Sequence, residues 1–419
     1  MRPATTLEEA YLAFDPGPLR GPALKAYYVD RPHNPSAEMR QILLTAPDEP
    51  HKLLFTGHRG SGKSTELNLL AEDAEIQQAF LLVPFGLEEI LDPLDLHFLD
   101  ILVAMEAKIY LAGREAGLSW PEELVRILAD FWVPQGRKAG FLQEDETTSL
   151  SERLTGGFRH LVGPYGRLRL EPLTRQILRE NLAGRVSELI THLLWLVGTV
   201  RSSLNRGVLI IIDDLDKPDL ATARALFYER GTTLTQPPCK IVYTVPIALF
   251  YTGEFRTITR YFTARFVHPN INVQTRGGKP YPPGIKTMHQ VVYRRMNQEL
   301  IAPDALDYLV RMSGGMMREL TTLMRTSCNK ARVAGKWRIS LQEAKEAVDE
   351  VQRDYERILH RKEHYVLLRQ VAREKRIRDV HTEGDETNIL MELLHNLSIL
   401  EYRNEESWWD VHPIVARLL

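Results

Sequence analysis

The sequence predicts an α/β fold built on a parallel sheet, and three apolar runs carry that expectation. Leu53-Leu54-Phe55-Thr56 is short and uncharged, and a glycine-rich loop and then a helical spacing follow it at once. Val208-Leu209-Ile210-Ile211-Ile212 is apolar without alternation, as a parallel strand covered on both faces must be. Lys240-Ile241-Val242-Tyr243-Thr244-Val245 repeats that character and ends at Pro246.

Composition bounds what such a sheet can belong to. A chain of 419 residues exceeds one ordinary core and implies two or three domains. With 44% apolar and 26% charged residues it is a globular chain and not a disordered one. A net charge of −2 excludes a global field for nucleic acid or membrane, so any such surface has to be local. Cys239 and Cys328 lie far apart and form no metal-ligand spacing, which points to a reducing, cytoplasmic setting. The first residues contain acids and lack an apolar run, so no signal peptide is expected there. Leu189–Val200 is too short for a bilayer and contains His192; a buried helix accounts for it, and no membrane is expected.

The first run leads into Gly57-His58-Arg59-Gly60-Ser61-Gly62-Lys63-Ser64-Thr65, which is G-x-x-x-x-G-K-S between a strand and a helix. Gly57, Gly60 and Gly62 let the backbone adopt positive φ and turn its N–H groups, with those of Ser61 and Thr65, toward phosphate oxygens. The helix that follows adds the field of its N-terminus. Lys63 is expected at the β- and γ-phosphates, and the Ser64 hydroxyl on Mg²⁺. The ligand is then a nucleoside triphosphate, ATP with Mg²⁺, with ADP as its product. A phosphate loop needs an acidic partner from a neighbouring strand, and the second run ends in Asp213-Asp214-Leu215-Asp216-Lys217. Asp213 is expected on the metal and Asp214 beside the attacking water.

Further pieces carry a family resemblance. The third run resembles the sensor-1 strand of AAA+ ATPases, with Thr244 as its polar residue. Ser313-Gly314-Gly315-Met316-Met317-Arg318 resembles their GG-x-x-R sensor-2 element, and Tyr27-Tyr28-Val29-Asp30-Arg31 resembles the box near the adenine. Over about residues 20–350 the chain therefore resembles the AAA+/STAND superfamily, nearest the branch of origin-recognition initiators and signalling STAND ATPases. The resemblance implies an ATPase core, a helical lid and a C-terminal winged helix, with Arg31, Thr244 and Arg318 at the nucleotide. It also implies an arginine finger after sensor 1, Arg260 or Arg265, which reaches a neighbouring subunit's γ-phosphate on self-association. Two departures stand out. Asp214 occupies the place where motor-type members have Glu, which implies slow hydrolysis and switch behaviour. And 150 positions separate Lys63 from Asp213, more than the minimal core requires.

The expected organisation is an N-terminal segment over 1–50, the ATPase core over 51–287, the lid over 288–350 and the winged helix over 351–419. Ala79–Phe85 reads as the second strand and Leu94–Leu111 as a helix. A helical insertion occupies about 113–206, with helices near Pro121–Phe131 and from Pro172 to Asn205. It either binds a partner or extends the core. From Tyr251 to Met296 the basic residues are Arg256, Arg260, Arg265, Arg276, Lys279, Lys286, Arg294 and Arg295, with Glu254 as the one acid. That stretch is a solvated face, the place of the finger, or a contact to nucleic-acid backbone. Within it, Thr275–Lys286 is expected to be a loop because of its Gly and Pro content. In the last unit a helix is expected through Asp354–Arg378, then a polar loop over Asp379–Glu386. A helix over Thr387–Asn396 and a hairpin of Ser398–Tyr402 with Trp408–Val411 follow. The helix before the hairpin, TNILMELLHN, has no Lys or Arg, which argues against groove reading. His412 is either a cap or, as in some STAND winged helices, a sensor of ADP. These features favour a slowly hydrolysing switch that controls a protein partner in signalling or defence. The alternative is a DNA-associated ATPase, of initiator or transposition-regulator type, that assembles on duplex.

Overall fold

The computed structural model describes residues 2–142, 148–163, 166–377, 385–403 and 406–419. Five strands form one parallel sheet: β1 (Lys52–Thr56), β2 (Phe80–Gly86), β3 (Gly207–Asp213), β4 (Lys240–Val245) and β5 (Ala264–Val267), in the order β2-β3-β4-β1-β5. Every residue of β1 and β4 is buried, as the unbroken apolar runs require. The register sets Leu53 beside Val242 and Ile210 beside Ile241. β1 therefore lies between β4 and β5, and its C-terminal loop opens where the strand order reverses, the usual crevice for a ligand in such sheets.

The excess length between Lys63 and Asp213 is helical. Phe98–Glu115, Glu122–Lys138, Leu150–Val162, Pro172–Leu182 and Val186–Leu204 share one apolar core with β2 and β3. Trp132 is fully buried there, and its indole N–H donates to Glu106 Oε1 at 2.6 Å. The structure corrects the single helix expected from Pro172 to Asn205. It breaks at Ala183-Gly184-Arg185, where the glycine weakens the helix and the chain restarts at Val186. Within the insertion, the Gly- and Arg-rich segment from Gly156 to Leu170 begins inside a regular helix despite its composition. A capping box of Ser149 and Glu152 starts the helix Leu150–Val162. Gly157 within it leaves room for Leu142, which an added Cβ would meet at 2.6 Å.

The lid comprises Pro282–Tyr293, Pro303–Met312, Met317–Val333 and Leu341–Ile358. Thr275–Lys286 is thus not a loop throughout: Pro282 and Pro283 open a helix, in the first turn where a missing N–H leaves nothing unsatisfied. The helix expected through Asp354–Arg378 is two, ending at Ile358 and resuming over Lys362–Glu374. A further helix, Asp385–His395, leads into an antiparallel hairpin of β6 (Ile399–Arg403) and β7 (Ser407–Val411). The loop expected over Asp379–Glu386 lies for the most part outside the described residues. One apolar core runs from the N-terminal helix Leu7–Ala13 through the lid to the winged helix, joining Leu309, Leu320, Leu368, Leu393 and Ile414. No helix among the described residues is long and apolar enough to cross a membrane.

Candidate nucleotide-binding site

The loop after β1 has the backbone that its glycines permit. Gly57, Gly60 and Gly62 have φ of 153°, 83° and 108°, and the helix Lys63–Ala71 begins directly after them. Lys63 is buried inside the loop. Its ammonium donates to the carbonyls of Gly57 (2.9 Å) and His58 (3.1 Å) and pairs with Asp216 Oδ2 at 2.7 Å. That lysine–aspartate pair is enclosed, the two side chains being 5% and 7% exposed.

The acidic turn meets the loop from the end of β3. Asp213 is hydrogen-bonded by Ser64, and burial followed by the charges of Asp214 and Asp216 pushes its pKa up to about 6. Asp214 has a φ of 68°, rare for a residue with a side chain, and its N–H donates to Asp213 Oδ1 at 2.8 Å. Its Oδ1 lies 2.9 Å from Lys217 Nζ, which also reaches Glu88 Oε2 at 2.7 Å. Burial raises the Asp214 pKa and Lys217 opposes it. For Asp216, burial acts upward as the largest single influence, but the charge and hydrogen bond of Lys63 together with the Arg59 charge outweigh it and the pKa is lowered. The carboxylate oxygens of Asp213, Asp214 and Asp216 lie within 4.8 Å of one another. Together with the Ser64 hydroxyl, this all-oxygen donor set fits a hard divalent cation such as Mg²⁺.

The other expected residues fall into two groups. Arg318, Ser64 and Thr65 line a cleft over the loop, as do Asp214, Asp216 and Lys217. The Arg318 side chain is exposed at its mouth, while the Arg318 N–H donates to Gly60 O at 3.0 Å. Thr65 Oγ1 accepts from Leu19 N at 3.2 Å, so an N-terminal strap over Asp15–Leu19 closes one side. Thr244 is placed differently. Its buried hydroxyl donates to Ile212 O (3.2 Å) and accepts from Leu215 N (2.9 Å), bracing the acidic turn from behind. Arg31 borders the cleft, but its guanidinium is buried beneath the loop, where it donates to Ser61 O at 2.7 Å and to Pro269 O and abuts His268 Nε2. Burial brings its pKa down to about 10. Arg260 and Arg265 are exposed and outside this cleft, on the β5 side; the Arg265 guanidinium carbon lies 5.8 Å from the Phe255 ring centroid.

Sequence reasoning missed Arg295, which it assigned to a basic surface. Arg295 is buried at the cleft, with its guanidinium carbon 5.0 Å from the Tyr27 ring centroid. With Arg295 buried, the eight basic residues do not share one exposed face, and Arg276 is paired with Glu406 at 2.8 Å. The available signal for Arg295 was its place just past the end of the amphipathic lid helix Pro282–Tyr293, one turn after Val291.

The winged helix reaches the loop as well. His58 Nε2 accepts from Glu401 N at 2.7 Å, and Tyr402 Oη donates to Gly314 O at 3.0 Å. Burial lowers the pKa of both His58 and His412 to about 3, which keeps the rings neutral. His412 caps the final helical turn, accepting from Ile414 N at 3.2 Å, so the capping alternative is the one its contacts support. The helix Asp385–His395 packs on the segment after β4, with Leu394 and His395 near Pro246, Ile247 and Ala248.

Two predictions test the lid's seat. Gly315 has a φ of 76°, and an added Cβ would lie 1.7 Å from Ile271 O, whose own N–H donates to Gly315 O at 3.1 Å. Gly315→Ala is therefore expected to destabilise the fold by about 3 kcal/mol or more in urea denaturation; a change below about 1 kcal/mol contradicts this contact. Glu319, next to Arg318, has a sealed Oε1 without a partner, and burial pushes its pKa from 4.5 to about 7. A raised acid stabilises the fold below its unfolded pKa and loses that contribution as pH rises toward 7. Glu319→Gln should thus match the parent near pH 4.5 and exceed it at pH 8, by at most about 3 kcal/mol. Parallel thermal melts at both pH values check it, and a constant offset rejects it.

Strand order, phosphate loop, acidic turn, helical lid and C-terminal winged helix define a P-loop fold of the AAA+ type. Solved structures similar to it include the ORC2 protein of Aeropyrum pernix in ADPNP-ADP complexes, at 11% identity, covering 97% of this chain and 95% of that one, with a TM-score of 0.46. The Aeropyrum pernix ORC1 protein in complex with DNA is similar at 15% identity, with 98% of each chain covered and a TM-score of 0.45. A Walker-type ATPase of Pyrococcus abyssi shares 15% identity over 97% of this chain and 99% of that one, with a TM-score of 0.42. No family model and no curated protein matches the chain.

Proposed function

We propose that the protein is an ATP-hydrolysing switch whose lid and winged helix respond together to the nucleotide. The observation that supports this is the double contact on the phosphate loop: the lid holds Gly60 through Arg318 N, and the wing holds His58 through Glu401 N. Phosphates seated on that loop would have to adjust both contacts at once. Lys63 would neutralise the β- and γ-phosphates, Arg318 would approach from the lid, and Asp214 would orient the attacking water. Mg²⁺ would be held by Ser64 and Asp213 and would neutralise charge developing on the phosphate oxygens. The test is hydrogen exchange across residues 399–411 with and without ATP and Mg²⁺. Altered protection of the hairpin on ATP binding is expected, and identical exchange in both states removes the switch.

For the partner, duplex DNA is the reading we favour over a signalling protein. Arg256, Arg260 and Arg265 are exposed and form no ion pair among the described residues, so they are available to phosphates. The helix Asp385–His395 is packed on the core and lacks Lys and Arg, so the contact proposed is to backbone and not to base edges. Replacing all three arginines by glutamine should shallow the salt dependence of duplex binding by about three units of slope. If Arg260 or Arg265 instead acts on a neighbour's nucleotide, the same change leaves the slope alone. It then flattens the rise of specific ATPase rate with protein concentration.

A further inference from the structure

Lys217 is not absorbed by any role above, and its position is specific. It borders the cleft and holds two carboxylates from the segments that follow β3 and β2, Asp214 Oδ1 at 2.9 Å and Glu88 Oε2 at 2.7 Å. Its own N–H donates to Asp214 O at 3.1 Å, so a tight turn fixes the lysine over the aspartate it pairs with. The Asp214 backbone is held from the other side through its N–H on Asp213 Oδ1, in a left-handed conformation. Glu88, directly after β2, supplies the second anchor. Asp216 already has Lys63 as its counter-charge, so Lys217 serves Asp214 and Glu88 alone in this cluster.

A carboxylate orients water through a free lone pair and enough basicity to accept its proton. An ammonium at hydrogen-bond distance takes up an oxygen and lowers that basicity. A phosphate oxygen would have to draw Lys217 away from two anions, which makes it a poor candidate for a phosphate-binding cation. We propose that Lys217 is a restraint on hydrolysis: anchored by Glu88, it occupies the water-orienting oxygen of Asp214 and keeps turnover low. It acts through Asp214 and is a positioning residue. The inference rests on the ATPase reading, extending it to how the rate is set.

The test compares the full-length protein with Lys217→Met, Lys217→Arg and Glu88→Gln, measuring kcat, KM and the affinity of a non-hydrolysable ATP analogue. Lys217→Met should raise kcat by about threefold or more with analogue affinity within about twofold. Glu88→Gln, which removes one anchor, should raise it less, and Lys217→Arg, which keeps the clamp, should stay within about twofold of the parent. In an Asp214→Asn background, Lys217→Met should bring no rise. A fall in kcat on losing the lysine overturns the proposal, as does a rise that persists without Asp214. Turnover of the parent that is insensitive to Lys63→Ala defeats the ATPase reading itself. Lys63-dependent turnover unchanged by Lys217→Met defeats only the restraint, and so does nucleotide binding without turnover in both proteins.

Discussion

Lys63→Ala is expected to lower nucleotide affinity by about a hundredfold or more and to bring turnover to background. A charge-assisted contact to two phosphates is worth several kcal/mol in a site this enclosed, and Arg59, which also lines the cleft, is only half-buried and is not held inside the loop as Lys63 is. Stability should change as well. Asp216 is buried with Lys63 as its counter-ion, and removing one member of such a pair strands the other charge at a cost of about 3 kcal/mol. Loss of binding in the single variant alone would therefore not separate a missing contact from a loosened loop. Adding Asp216→Asn removes the stranded carboxylate. The double variant should recover most of the stability in urea denaturation while still failing to bind a fluorescent nucleotide. Recovery of nucleotide binding along with stability would show that Lys63 serves the fold and not the ligand.

The parts legible in the sequence were those whose cause is local. The phosphate loop follows from glycine spacing between a strand and a helix, and β3 and β4 follow from apolar runs that can only be covered on both faces. The hairpin β6–β7 was also visible, from two short runs around a polar turn. What was not legible depends on which neighbour a side chain meets. Thr244 sits on the expected strand, but periodicity does not say that its hydroxyl braces Leu215 N behind the acidic turn. Arg31 was placed near the adenine, and only the fold shows its guanidinium under Ser61 O and Pro269 O. Asp216 looked like one acid among three until the turn brought it to Lys63, and Arg295 looked like surface until the lid folded over Tyr27. Helix ends misled for a different reason. Breaks at Gly184 and at Leu359–Arg361 interrupt patterns that read as continuous, because one or two residues out of period are too weak a signal.

Trp408→Ala is expected to undock the hairpin from the phosphate loop. Trp408 is fully buried and stacks on Tyr402 with ring centroids 4.5 Å apart and planes at 21°. Together with Leu400 and Met316 they form a small apolar cluster between the wing and the lid's glycine pair. Truncating a buried tryptophan costs about 3–5 kcal/mol, more than so small a cluster can absorb. The β1–β5 sheet has separate cores, so the loss should appear as local opening and not as global unfolding. Amides of residues 399–411 should then exchange about a hundredfold faster, at about 1.4 kcal/mol per decade, while those of β1, β3 and β4 keep their protection. Release of the wing also breaks the bond from Glu401 N to His58, so nucleotide affinity should shift along with the hairpin's protection. Undocking exposes the helix Asp385–His395 as it leaves the Pro246–Tyr251 segment. Because that helix carries no Lys or Arg, duplex affinity should rise little, and what rise occurs should be insensitive to salt. A uniform loss of protection across the sheet would mean that wing and core are one cooperative unit, which leaves no independent element for ATP to move.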